Sequence, residues 1–244
     1  METRVIVWDI ETVPDLAAAA RLQGKVGSAE AEVREGLGDK FPKLILHRIA
    51  CIGALVAMRE ALGWRISALG APHVGERPER DLIRDFAGRI ADLRPQLVTF
   101  NGNSFDLPVL RYRALVNRVA VPGLYVRPYF NRYTDDAIDL CDVLGSFQPP
   151  AKVKLDELAK ALGFEGKPGD VDGSKVEEMV AAGRLAEVAR YCESDVVNTY
   201  RIWLVYEFMR GALSQQELDW SEAGAEAFRS GRAQARGEIA ALAP

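Results

Sequence analysis

Val5-Ile6-Val7-Trp8-Asp9-Ile10-Glu11-Thr12 is the stretch on which the reading of this chain turns. Apolar and β-branched residues run straight into two acids at i and i+2, and Pro14 and Asp15 then break the run. Strand side chains alternate between faces, so Asp9 and Glu11 share one face and Ile10 takes the other. Two like charges side by side are costly unless something positive lies between them. A hard divalent cation, Mg²⁺ or Mn²⁺, is what carboxylate oxygens favour. The plainer alternative is a solvated strand end whose acids cap the following turn. One short motif does not decide between the two.

The 244 residues, 48% hydrophobic and 27% charged, suit one large globular domain with a sizeable core. Cys51, Cys141 and Cys192 are widely spaced and form no CxxC pair. That argues against a disulfide framework or a zinc knuckle, and predicts buried thiols in a reducing, cytoplasmic setting. No leader-like pattern opens the chain and no run reaches 18 apolar residues, so neither a signal peptide nor a membrane span is expected. A net charge of −4 disfavours a general polyanion coat but is compatible with one local nucleic-acid groove. His47 and His73 are the only histidines, and no nucleophile-elbow pattern lies near either. Histidine-rich zinc sites lack their parts as well. Any metal here must be held mainly by carboxylates.

Periodicity organises the rest. Residues 16–40 read as a loosely helical surface excursion, and 47–58 with 63–69 as a β-hairpin. Leu82, Ile83, Phe86, Ile90 and Leu93 fall at helical spacing within 77–93, which Pro95 ends. Residues 96–100 form a short buried strand, 101–104 a turn, and 105–119 a helix that Ser104 could cap. After an irregular stretch at 120–133, residues 138–144 read as a short strand or a turn into a helix. Residues 154–162 are an amphipathic helix closed by Gly163, and 174–182 a short helix with Ser174 as its cap. The intervening segment 166–173 is glycine-rich without P-loop order. The longest helical pattern spans 185–210, followed by one more helix from Ser214 and a tail expected to fray. The order predicts an α/β fold, a mixed β-sheet flanked by α-helices. Residues 1–210 would be the working domain, and 211–244 a C-terminal helix and tail that is part of the same domain or partly disordered.

Two further acid sites stand out. Asp106 follows the turn between a strand and a helix, where sites on α/β sheets form, although a helix dipole alone favours an acid there. Tyr191 and Asp195 stand i, i+4 and share one helix face near the apolar stripe. An aspartate there needs a partner, which the phenol alone could supply. In order, the motifs are Trp8-Asp9-Ile10-Glu11-Thr12, Asn101-x-x-x-Phe105-Asp106 and Tyr191-Cys192-x-x-Asp195. Together they resemble the DEDDy group of 3′–5′ exonucleases, with a ribonuclease-H-like fold. Within it the chain looks most like the predicted 3′–5′ exonucleases related to the proofreading domain of family-B DNA polymerases. The resemblance runs from about residue 4 to residue 206. The group's histidine variant carries His five residues before the last Asp; Arg190 stands there, so the tyrosine variant matches.

The resemblance implies a metal-dependent 3′–5′ exonuclease that hydrolyses phosphodiester bonds, foremost in single-stranded DNA, and releases nucleoside 5′-monophosphates. Two ions, Mg²⁺ or Mn²⁺, would lie roughly 3.5–4 Å apart. Asp9 would bridge both, Glu11 and Asp195 would complete the first, and Asp106 would hold the second through water. Tyr191 would orient the attacking water, since a phenol of pKa about 10 is a poor general base. The implied partner is nucleic acid with a free 3′ end; a proofreading role would need a separate polymerase or repair protein. Two alternatives remain open: the same site acting on RNA, and a catalytically silent nucleic-acid-binding module.

No acid occurs between Asp106 and Asp135, an interval carrying Arg111, Arg113, Arg118, Arg127 and Arg132. Tyr112, Tyr125, Tyr129, Phe130 and Tyr133 are interleaved with them. Arginines on phosphates and aromatic faces under bases make a single-strand groove. Asn101, Phe105, Arg111, Tyr112, Arg113 and Arg132 are accordingly the nucleic-acid-binding candidates. Solvated arginines beside core aromatics explain the pattern equally well. Lys152, Lys154, Lys167 and Lys175 add charge or simply surface. Asp135, Asp136, Asp139 and Asp142 do not follow a calcium loop; Asp139 reads as a supporting residue and the others as solvated. Trp8 and Trp203 read as core.

Overall fold

The strand bearing Asp9 and Glu11 is the middle strand of the sheet. The computed structural model describes residues 2–38, 41–165 and 173–241. The chain begins with β1 (Arg4–Pro14), α1 (Leu16–Gln23) and α2 (Glu30–Leu37), then the hairpin β2 (His47–Glu60) and β3 (Gly63–Gly70). There follow α3 (Glu79–Leu93), β4 (Gln96–Thr99), α4 (Asp106–Asn117), β5 (Ala137–Asp139) and α5 (Leu140–Leu144). Helices α6 (Leu155–Ala161), α7 (Val176–Ala181), α8 (Leu185–Met209) and α9 (Gln215–Ala241) complete it. The sheet order is β3-β2-β1-β4-β5; β1, β2 and β3 pair antiparallel, whereas β4 runs parallel to both β1 and β5. This is the mixed, helix-flanked sheet that the periodicity predicts.

Three local expectations change. Phe105, not Ser104, stands at the N-cap of α4, with no side-chain cap. Asp106 opens that helix, and its carboxylate is used elsewhere. Helix α7 starts after a 3₁₀ turn at Gly173–Lys175, so Lys175 rather than Ser174 precedes it. Helix α9 runs unbroken to Ala241 where a fraying tail is expected. The glycine-rich segment, apart from Gly173, lies outside the described residues, as does Lys167.

β1 is apolar on both faces because both are covered. Val5 and Val7 pack with Val196, Tyr200 and Trp203 of α8, and with Leu218 and Ala225 of α9. Ile6, Trp8 and Ile10 pack on the other side with Leu82, Ile83, Phe86 and Ile90 of α3 and Val109 and Leu110 of α4. Burying each such side chain contributes about 1.5–3 kcal/mol, so the alternation is strongly held. Asp9 and Glu11 continue the Val5–Val7 row, and therefore face α8. The close approach of that helix depends on Gly53, which pairs with Asp9 across β2. A Cβ there would meet Cys192 Sγ at 2.6 Å and Val196 Cγ2 at 3.1 Å.

Candidate active site

β1 and α8 bring the first group together. Ligand atoms of Asp9, Glu11 and Cys192 all lie within 4.8 Å of one another, the spacing of a group that could hold one ion. Glu11 and Cys192 are buried, and Asp9 is partly so. The register of β1 slips after Glu11, between Glu11 and Thr12, so a bulge ends the regular ladder beside the two acids. Cys192 Sγ lies 3.7 Å from both the backbone oxygen and Oδ2 of Asp9. A hydrogen bond with Cys51, burial, and the charges of Asp9 and Glu11 push its thiol well above the ordinary range. It therefore stays protonated, and the hard oxygens remain the natural donors to Mg²⁺ or Mn²⁺.

One turn along α8, Asp195 accepts a hydrogen bond from the Tyr191 hydroxyl. Both residues are buried. Burial foremost, then the charges of Asp195, Glu11 and Asp9, raise the Tyr191 pKa far beyond its usual value. Tyr191 is thus a neutral hydroxyl among carboxylates, able to position a neighbour but not to take its proton.

Asp106 reaches β1 from the opposite side. β4 pairs with β1 only at Val5, Ile6 and Val7, so beyond it that edge of β1 is open. Asp106 Oδ1 fills the gap by accepting the Ile10 N–H at 3.0 Å. Burial, partly offset by that bond and reinforced by the Asp139 charge, pushes the Asp106 carboxyl up to about 7. Asp139, at the end of β5, is itself buried. Its carboxylate accepts the backbone N–H groups of Asn101 (2.7 Å), Asn103 (2.9 Å), Cys141 (3.0 Å) and Asp142 (3.3 Å). It thereby caps α5 and pins the 101–104 turn that leads into Asp106. Asn101 adopts a left-handed backbone at φ 68° within this turn.

The arginine interval divides in two. Arg113 is 2% exposed and forms a bidentate pair with Glu79 (2.8 and 2.7 Å) and a third bond to Asp15 (2.6 Å). It knits α4 to α3 and to the cap of α1, and its guanidinium cannot reach a phosphate, which corrects the groove assignment. A signal was present in the sequence: Arg113 follows Val109 by four and Leu110 by three, on the buried stripe of α4. Arg127 pairs with Glu2 and Asp136, and buried Tyr129 donates to the Pro95 carbonyl at 2.7 Å, so both serve the scaffold. Arg111, Tyr112 and Arg132 are exposed, Asn101 is exposed, and Phe105 is half-buried. Asp142 is not solvated: it is buried and paired with Lys152 at 2.6 Å. Lys152 also donates to Asn101 Oδ1 at 3.3 Å. Trp8 and Trp203 are core, and all three cysteines are free and buried. The place of Cys192 beside Asp9 has no local signature in the sequence.

The donors fit a divalent cation. Two carboxylates on one strand face, with a third on the helix opposite, are hard oxygen ligands whose mutual repulsion a dication relieves. No helix among the described residues is long and apolar enough to cross a membrane.

A DNA polymerase of Archaeoglobus fulgidus is 28% identical over 136 residues, spanning 51% of this chain and 17% of that protein. The family B DNA polymerase of the hyperthermophilic archaeon Pyrobaculum calidifontis shares the fold, with a TM-score of 0.55 at 19% identity. That match covers 82% of this chain and 24% of the polymerase, so the chain spans under a quarter of the polymerases it resembles. A zinc-bound E. coli exonuclease I complex with single-stranded DNA is a weaker match, TM-score 0.44 at 14% identity, covering 82% of this chain and 44% of that one. The family match itself spans residues 39–236, taking in Asp106, Tyr191 and Asp195 but beginning after Asp9 and Glu11, whose assignment rests on geometry. The chain belongs to the family of predicted 3′–5′ exonucleases related to the exonuclease domain of PolB.

Proposed function

We propose that this 3′–5′ exonuclease removes nucleotides one at a time from the 3′ end of single-stranded DNA, using two Mg²⁺ or Mn²⁺ ions, and releases nucleoside 5′-monophosphates. The observation that carries this reading is the meeting of the Asp9–Glu11 strand face with Tyr191 and Asp195 of α8. Asp9, Glu11, Asp106 and Asp195 would hold the cations, which would supply charge neutralisation at the scissile phosphate and a lowered pKa for the attacking water. Tyr191 keeps its proton, donates a hydrogen bond through it to Asp195, and would accept a hydrogen bond from that water, fixing its approach. Asp139 holds the 101–104 turn so that Asp106 arrives at the open edge of β1.

The free thiols suit a reducing compartment, and we assign the enzyme to the cytoplasm. Residues 1–210 form the exonuclease domain, and α9 packs on it through Leu218 and Ala225. Its partner is nucleic acid with a free 3′ end.

The test is degradation of matched 5′-labelled single-stranded DNA and RNA in Mg²⁺, Mn²⁺ or excess EDTA. A ladder of shortened labelled DNA that disappears in EDTA is expected. A labelled mononucleotide as the first product, or activity in EDTA, refutes the reading. Faster loss of RNA moves the substrate assignment to exoribonuclease.

A further inference from the structure

The cleft beside Glu11, about 570 Å³, is lined by two separate segments. Phe41, Pro42 and His47 follow α2, whereas Gly173 and Glu177 lead into α7 and open it. The first segment is firmly built: the Phe41 and His47 ring centroids lie 4.9 Å apart, and His47 meets Phe105 edge-on at 5.0 Å. Arg34 of α2 forms an ion pair with Glu177, so one contact bridges the two segments at the solvent-facing rim. Glu30, one turn back along α2, accepts from Arg34 at 3.0 Å and helps to aim the guanidinium.

Helices α1 and α2 are built as an arm. Ala18, Ala19 and Val33 pack with Leu46 in a small core of their own, apart from the two sheet cores. Gln23 donates to the Val33 carbonyl at 3.1 Å and Lys25 pairs with Glu32 at 3.7 Å, so the two helices hold together as one piece. The base is fixed, because Asp15 both caps α1 and binds the buried Arg113. Past the end of α2, Gly38 stands at φ 64° and ψ −169°, a backbone region essentially closed to other residues.

The contact at the tip is of a different kind from the one at the base. The side chains of Arg34 and Glu177 are 45% and 39% exposed. An exposed ion pair shifts an equilibrium by about fivefold at most, enough to favour closure and weak enough to release. A nucleic-acid strand outreaches the cleft and must leave across its rim, where this pair stands; a mononucleotide derivative fits inside.

Resting on the exonuclease reading above, we infer that α1 and α2 form a gate latched by Arg34 and Glu177, which selects what reaches the acidic site. Latched, it admits small phosphodiesters and holds out a polynucleotide. Released, it lets the strand cross the rim. The two residues determine access and touch no reacting atom.

The test measures cleavage of single-stranded DNA and of the p-nitrophenyl ester of thymidine 5′-monophosphate, in Mn²⁺ at low salt. Arg34→Gln and Glu177→Gln both release the latch but change the charge at the rim in opposite senses. Both are expected to raise kcat/KM for the strand, by up to about fivefold, and to leave the ester almost unchanged. The gain should fade as added salt screens the native pair. Opposite effects of the two variants on the strand would reveal a plain charge effect and overturn the gate, as would no change in either.

A second measurement locks the gate. The double variant Arg34→Cys/Glu177→Cys is joined by a reductant-cleavable bis-methanethiosulfonate linker; the native thiols are buried, so the introduced pair reacts. Strand cleavage should be lost and return with reductant, while the ester is hydrolysed throughout. Full strand cleavage by the linked protein, or loss of both reactions, overturns the gate and leaves the exonuclease reading standing. Wild-type protein that releases no nucleotide from the strand overturns both. Thermal melts beside each assay verify that these exposed substitutions leave the fold intact.

Discussion

The Asp106 carboxylate accepts the backbone N–H of Ile10 at 3.0 Å, which ties the acid that opens α4 to the strand residue lying between Asp9 and Glu11. One bond therefore satisfies the open edge of β1 and anchors the Asp106 carboxyl to the backbone between the two acids. Its burial has a cost. With the Asp106 pKa pushed up to about 7 from 3.8, the folded state holds this proton more tightly than the unfolded chain does. Its stabilising contribution is full below about pH 3.8 and is lost as pH rises through about 7.

Asp106→Asn keeps an oxygen for Ile10 and removes the charge. In EDTA, the melting temperature of the native enzyme should fall relative to this variant between pH 5 and pH 8. Parallel melting curves across that range would show that the carboxyl is not carrying the burial cost. Exonuclease activity of Asp106→Asn should be lost at every pH.

Metal should stabilise the fold. Mn²⁺ bound among these carboxylates favours the native state by mass action, about 2.7 kcal/mol at one hundred times its dissociation constant. Asp9→Ala should abolish most of the rise in melting temperature. An equal rise in both proteins would place the ion elsewhere.

Tyr191 separates structure from chemistry. Tyr191→Phe removes the hydroxyl that donates to Asp195, at a cost of about 0.5–1.5 kcal/mol in stability. Metal-induced stabilisation should survive, while single-turnover cleavage falls on the order of 10²-fold. Wild-type cleavage by a variant that merely melts lower would return the residue to a supporting role.

Arg113 and Arg111 stand two residues apart and should behave in opposite ways. Arg113→Ala leaves Glu79 and Asp15 buried without their cation, a loss of about 3–5 kcal/mol, with the salt dependence of DNA binding unchanged. Arg111→Ala should leave the melt almost unchanged and flatten the salt slope by about 0.7, one phosphate contact on a single strand. Denaturant melts beside binding titrations at several salt concentrations distinguish the two. A flattened slope for Arg113→Ala would contradict its burial.

What the sequence by itself determined is local or periodic. The i, i+2 acids of β1 share a face because strand geometry requires it, and Tyr191 and Asp195 share one because helix geometry does. The hairpin, the amphipathic helices and the order of the three acid motifs follow from patterns a few residues long. Only the tertiary structure decided which polar groups meet across long separations. Asp15 binds Arg113 from 98 residues away, and Cys192 lies against Asp9 across 183. The turn braced by Asp139 and the rings of Phe41, His47 and Phe105 are assembled in the same way. No local period encodes such encounters. They form once the two faces of β1 are buried, and an acid or arginine carried inside with them then requires a partner.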